Sequence, residues 1–221
     1  LPYCFSNNLC RSLPNWGLFS CIIIDEVIAI DVLEAIKNRR SIHQFKKTEV
    51  PKDILTDIFT YASWAPTHYM KEPWNIKLYQ DAGKESFINA IIRSYQRLGM
   101  MKTDKEEKTL RSIESIKQFL LDIPHHALIY LPMEIDPIRY EEEYASVCAF
   151  IQNAQLAAWK LSVGMLWTIT PYMHDPVFVQ DIGLDHKKHK IAAVLQIGYP
   201  QKIPMSKKRT LINEKMEIIS E

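Results

Sequence analysis

The sequence predicts an α+β sandwich around one central sheet, and three observations carry that expectation. Apolar residues at helical spacing run through most of the chain. Short apolar segments of strand character interrupt them singly. The 221 residues, 47% hydrophobic and 24% charged, suffice for a well-buried core without disulfides or metal.

Val32, Leu33 and Ile36 form a first helical stripe that ends at Asn38-Arg39-Arg40-Ser41. Pro51 opens a second helix, with Ile54, Leu55, Ile58, Phe59 and Ala62 on its apolar face and Pro66 as its stop. Trp74–Tyr79 alternates like a half-buried strand. A helix over 84–98 follows, then a charged stretch from Lys102 to Lys108 read as a solvated connection, then a helix over 110–121. Ala127–Leu131, bounded by Pro124 and Pro132, reads as a buried strand, with His125-His126 as a turn before it. Glu141-Glu142-Glu143 then opens the longest helix, reaching about Ser162, where acidic residues suit the positive end of the helix dipole. Met165–Ile169 is a short strand, Pro176–Ile182 a short helix and Ile191–Ile197 an apolar strand, followed after Pro200 by a polar, basic tail.

Residues 1–24 stand apart. They carry one charge, Arg11, and lack the basic start, long apolar core and small-residue cleavage site of a signal peptide. They are expected to be an N-terminal extension, added or native, with residues 25–221 as a single domain. Several function classes fall away on composition. A net charge of +1 lacks the footprint of a general nucleic-acid binder, and no apolar run is long enough to span a membrane. The six glycines are too scattered for a dinucleotide-binding or P-loop fingerprint. The four cysteines form no CxxC pair and suit a reducing cytoplasm, with Cys148 an inert thiol in mid-helix. His186 and His189 sit in Asp-His-Lys-Lys-His-Lys with i, i+3 spacing, but a metal site needs further ligands and an uncrowded charge environment, so no metal site is expected.

Three segments could carry chemistry. Arg39-Arg40-Ser41-Ile42-His43-Gln44-Phe45 puts two guanidiniums and a hydroxyl together, which grip a phosphate well or simply solvate a helix end. Ala65-Pro66-Thr67-His68-Tyr69-Met70-Lys71-Glu72-Pro73-Trp74 is a proline-bounded loop, either a ligand wall or an ordinary connection. Gly164-Met165-Leu166-Trp167-Thr168-Ile169-Thr170-Pro171 offers an aromatic ring and backbone N–H groups to a planar heterocycle, or else a core tryptophan.

Their order and spacing, with Ile197-Gly198-Tyr199-Pro200 and the basic Lys207-Lys208-Arg209 beyond them, resemble the flavin-dependent nitroreductase family over about residues 30–212, most closely its small branch with Ala-Pro-x-His in the loop. The resemblance implies a three-layer sandwich with a mostly antiparallel sheet flanked by helices, and an intertwined homodimer with FMN at its interface. It implies that Arg39, Arg40 and Ser41 begin the FMN site, and that Trp64, Thr67 and His68 close over the cofactor from the partner subunit. Trp167, Thr168 and Ile169 would run along the isoalloxazine, their backbone N–H groups near N5, and Lys207 and Arg209 would complete the phosphate grip. The implied activity is ping-pong hydride transfer from NAD(P)H through FMN to a nitroaromatic, quinone or similar electron-poor acceptor. Reductive dehalogenation or dehydrogenation, and a non-catalytic flavin carrier or sensor, stay open beside it. This chain departs from the family at three points. His43 stands where Arg or Lys usually faces flavin N1, and Met70 and Glu72 replace the Asn and Gln common in the loop. An imidazole carries a full charge only below about pH 6.5.

Overall fold

The computed structural model describes residues 31–101 and 107–220; the proposed extension 1–24 and residues 102–106 of the charged stretch lie outside them. Its elements are α1 (Val32–Asn38), α2 (Lys52–Ala62), β1 (Asn75–Tyr79), α3 (Ala82–Arg97), α4 (Glu107–Leu121), β2 (His125–Pro132), α5 (Pro137–Lys160), β3 (Gly164–Thr168), α6 (Pro176–Asp181) and β4 (His189–Gly198). Short 3₁₀ turns lie at His68–Met70, Pro171–His174 and Ile212–Glu214.

β2 and β4 are the most apolar strands, and burial on both faces places them at the centre of a four-stranded sheet, order β1-β2-β4-β3. Every strand pair is antiparallel. The two faces follow from strand alternation. Ala127, Ile129 and Leu131 of β2 point into a core with Leu55 and Ile58 of α2 and Phe150, Ile151 and Ala154 of α5. Leu128 and Val194 point the other way, against Phe87, Ile88 and Ile91 of α3 and Phe178 of α6. The expected helix–sheet–helix layering is thus present.

Local chemistry sets several boundaries differently from the sequence reading. α5 starts before Glu141, because Asp136 accepts from the N–H of Ile138 at 2.9 Å and Pro137 suits the first turn. The triple-glutamate run therefore lies inside the helix, and Glu143 is buried rather than a first-turn charge. α4 takes in Glu107 and Lys108 from the expected connection, and Lys84 donates to the carbonyls of Leu121 and Ile123 at its far end, both at 3.2 Å. In α1 only Ala35 is buried, while Val32, Leu33 and Ile36 face outward. Asp175 caps α6 by accepting from Val177 N–H, and also accepts from Ser94 and Arg97 at 2.6 Å each, tying α6 to α3.

His125 and His126 form the first residues of β2, not a turn, and both are buried. Val50 N–H donates to His125 Nε2 at 2.9 Å, so this ring needs a free lone pair there. His126 Nε2 lies 2.9 Å from the carbonyl of Leu120, to which it donates as a neutral ring. Burial, reinforced by the Lys84 charge, pushes His126 down to about 4, and burial also lowers His125. Above the unfolded value of about 6.5 both states are neutral. Below it the unfolded chain binds a proton that the native ring refuses. Stability should therefore fall as pH drops from about 6.5 toward 4, by about 3 kcal/mol from His126. Urea midpoints measured across that window check this, and His126→Phe should flatten the slope. Carboxylates held low by hydrogen bonds, such as Asp175, act only at more acidic pH.

Candidate functional site

Two glycines bring the distant motifs together. Gly164 and Gly198 pair across β3 and β4. A Cβ on Gly164 would stand 2.6 Å from Ile42 Cγ1 and 3.0 Å from Pro200, and one on Gly198 would stand 3.0 Å from Pro124 and 3.1 Å from Phe45. Their bare backbones let the 41–45 segment lie flat against the strand ends. Backbone bonds stitch it there: Ile42 N–H to the Met165 carbonyl at 3.1 Å, Lys46 N–H to Tyr199 at 2.8 Å and Gln201 N–H to Gln44 at 2.9 Å. Ser41 bridges Met165 in parallel register. Arg39–Ser41 and the root of the basic tail are thereby laid against the start of β3, with Trp167–Ile169 continuing along the same sheet edge.

The electrostatics of that end are one-sided. Arg39 is half-buried; burial, and then the like charges of Arg40 and Arg209, lower its pKa. Its Nη1 donates to Gln155 Oε1 of α5 at 3.3 Å, whereas its Nε is buried without a partner. Among the described residues, no ion pair involves Arg39, Arg40 or Arg209. Arg40 Nη1 donates to the carbonyls of Lys37 and Arg39 at 2.8 and 2.9 Å, so it is held by backbone without a counter-charge, and neighbouring cations that lack a counter-charge are suited to an anion. Lys207 lies on the same exposed tail as Arg209.

β3 is an edge strand, so beyond the Ser41 bridge its outer backbone groups are open to a ligand. Trp167 packs partly on the core, and its Nε1 is a second buried donor without a partner. The Thr168 hydroxyl is committed to the Val194 carbonyl at 2.8 Å, leaving the backbone as its available contact. Ile169 is exposed just past the strand. Orphan donors at Arg39 and Trp167 beside an open strand edge suit a phosphate-bearing planar heterocycle.

The other predicted residues lie elsewhere. His43 falls on the exposed side of the stitched segment, in a groove with Gln44, Lys46, Lys47, Phe119 and Gln201. Trp64 is 83% exposed just after α2. Thr67 Oγ1 accepts from Glu72 N–H at 3.0 Å, and His68 meets Tyr69 edge-on with ring centroids 4.1 Å apart. Both interactions stay within the loop. Lys71 reaches Glu143 of α5, and lies 3.7 Å from Glu134. Gln155, Lys71 and Glu143 were not legible as site-shaping residues, although a glutamine on the same helix face as Ile151, Ala154 and Ala158 was a signal. Among the described residues no cluster of three metal-ligating side chains forms, and no helix is long and apolar enough to cross a membrane. Cys148 is half-buried on α5, and burial raises its thiol pKa, which suits an unreactive sulfur.

Comparisons with known proteins meet this geometry. The model of the Nitroreductase family matches residues 36–199. YfhC of Bacillus subtilis, provisionally named an NAD(P)H nitroreductase, is 31% identical over 183 residues, covering 82% of this chain and 91% of its own. A nitroreductase-like family protein from Bacillus cereus superposes with a TM-score of 0.76 at 35% identity, over 86% of this chain and 96% of that one. The FMN-dependent nitroreductase NfnB from Mycobacterium smegmatis, solved in complex with NADPH, shares the fold with a TM-score of 0.62 at 17% identity, over 86% of this chain and 100% of that one. The stitched segment, the long α5 and the β3 edge all fall within the matched span, and the chain belongs to the nitroreductase family.

Proposed function

We propose that this protein is an FMN-dependent oxidoreductase that takes reducing equivalents from NAD(P)H and delivers them, in ping-pong order, to a small electron-poor acceptor such as a nitroaromatic or quinone. The observation that carries this reading is the unpaired cationic cluster of Arg39, Arg40 and Arg209 at the open edge of β3, with the Arg39 Nε and Trp167 Nε1 donors unsatisfied. When bound, FMN supplies hydride transfer at its N5, chemistry that no side chain here provides. Arg39, Arg40, Ser41, Lys207 and Arg209 hold the phosphate, with Gln155 aiming Arg39. The β3 edge from Trp167 to Ile169 orients the ring system.

The protein works as a homodimer in this reading. Val32, Leu33 and Ile36 of α1, Trp64, and Leu211, Ile212, Ile218 and Ile219 of the tail are all exposed apolar side chains on one protomer. A second copy is the natural cover for so much apolar surface. That copy would contribute Trp64, Thr67 and His68 to the site.

The test is a visible spectrum after incubation with FMN and desalting. Retained flavin absorbance that bleaches anaerobically with NADH or NADPH is the expected result and ranks the donors. Retained absorbance that neither donor bleaches would favour a flavin carrier, and a colourless protein would overturn the cofactor assignment. His43 has its own expected outcome. In one protomer His43 faces the groove with Phe119; the N1-side placement comes from the family resemblance, and on that placement His43→Arg should raise the potential of the bound flavin by on the order of 30 mV, equivalent to ~1.4 kcal/mol for a two-electron couple. A redox titration in which the potential is unchanged would remove His43 from the site.

A further inference from the structure

The loop between α2 and β1 holds an uncommon backbone. Tyr69, Met70 and Glu72 have φ of 49°, 54° and 46°, in the left-handed region that side-chain-bearing residues adopt reluctantly. Such a conformation persists only where surrounding contacts impose it. Lys71, between them, has an ordinary φ of −69°. Its ammonium is the tether: it bonds to Glu143, which is 7% exposed on α5, and lies 3.7 Å from Glu134, which precedes that helix. The Glu143 bond raises the Lys71 pKa, so the positive partner persists well into alkaline solution. Thr67 Oγ1, accepting from Glu72 N–H, closes the loop from within.

The tether has a consequence for what the loop displays. With Lys71 drawn back onto α5, Tyr69 and Met70 are turned outward, 87% and 75% exposed, and His68 is held edge-on to the Tyr69 ring. Large apolar and aromatic groups displayed on a strained, anchored turn are poised for contact with a flat partner. The same helix that anchors the loop through Glu143 orients Arg39 through Gln155. Within one protomer the loop and the Arg39 side chain are thus both referred to α5.

We propose that the Lys71–Glu143 pair is a positioning clamp that sets the His68–Tyr69–Met70 surface as the contact for a planar aromatic acceptor, and so tunes acceptor selectivity. The acceptor role rests on the flavin reading above; the clamp does not. The test uses the full-length protein with FMN and three variants, Lys71→Met, Glu143→Gln and Lys71→Arg. Hydrogen exchange of peptides spanning residues 67–72 reads the clamp directly. Lys71→Met and Glu143→Gln should speed exchange there about tenfold, and Lys71→Arg should restore protection. Steady-state kinetics read the role. The KM for menadione, a planar quinone, should rise about fivefold relative to that for ferricyanide, which cannot stack, with little change in the kcat ratio. Unaltered exchange in both disrupting variants would overturn the clamp. Faster exchange with an unmoved menadione-to-ferricyanide ratio would overturn the acceptor role. A wild-type protein that retains no flavin would overturn the functional reading and the acceptor role with it, while the exchange data would still decide the clamp.

Discussion

Replacing Gly164 with alanine should lower stability by about 3 kcal/mol, the upper end of what overpacking costs in a rigid core. The added Cβ would lie 2.6 Å from Ile42 Cγ1 and 3.0 Å from both Ile42 Cβ and Pro200 Cγ. Ile42 has no exposed surface and is a short, branched side chain with little room to swing aside. Relief must come from moving the 41–45 segment off β3, which breaks the Ile42-to-Met165 bond and carries Ser41 and Arg39 away from the strand edge. The protein should therefore lose flavin affinity together with stability. Urea denaturation and flavin titration on the same preparation check both. Gly83, with nothing within 4 Å of its added Cβ and no left-handed φ, is the control: alanine there, in the first turn of α3, should be neutral or slightly stabilising.

Arg39→Ala should weaken FMN binding by about 100- to 1,000-fold, the range expected when a partly buried cation is removed from a charged ligand. The direction of its stability effect is the more telling part. Arg39 is held below its usual pKa by burial and by Arg40 and Arg209, so its charge is a cost to the unliganded fold. Removing it should leave the ligand-free protein as stable as before, or more so, while affinity collapses. Quenching of FMN fluorescence gives the affinity, and denaturant midpoints without FMN give the stability. Arg93, paired with Asp181 at 2.9 Å, is the contrasting arginine: Arg93→Ala should leave flavin binding unmoved, because its guanidinium serves an α3–α6 contact. If Arg39→Ala instead destabilises the free protein and spares FMN, the cluster is structural.

Much of this architecture was legible in the chain itself. The apolar runs of β2 and β4 announced buried strands, because burial on both faces removes polar alternation. The spacing Leu55, Ile58, Ala62 placed one face of α2 on the core. Arg39-Arg40-Ser41 and Trp167-Thr168-Ile169 were visible as candidate phosphate- and ring-binding segments. The family resemblance was readable from their order, and the family match bears it out.

What the sequence could not supply was anything that depends on residues far apart in the chain meeting in space. His125-His126 looked like a turn because two polar rings before an apolar run are ambiguous; the acceptor for Val50 N–H and the carbonyl of Leu120 made them buried strand residues. Glu143 looked like a dipole-favouring charge near a helix start, until Asp136 took the cap and Lys71 took the carboxylate. The α1 residues read as a short apolar helical stripe, yet among the described residues Val32, Leu33 and Ile36 stay exposed. Local chemistry pointed to the elements, the layers and the candidate anion-binding segments, because helix and strand periods and side-chain charge are properties of neighbours in sequence. Only the tertiary structure decided that Gly164 and Gly198 let those residues converge, which arginine lies half-buried without a counter-charge, and what holds the strained loop, because close approach and burial are properties of neighbours in space.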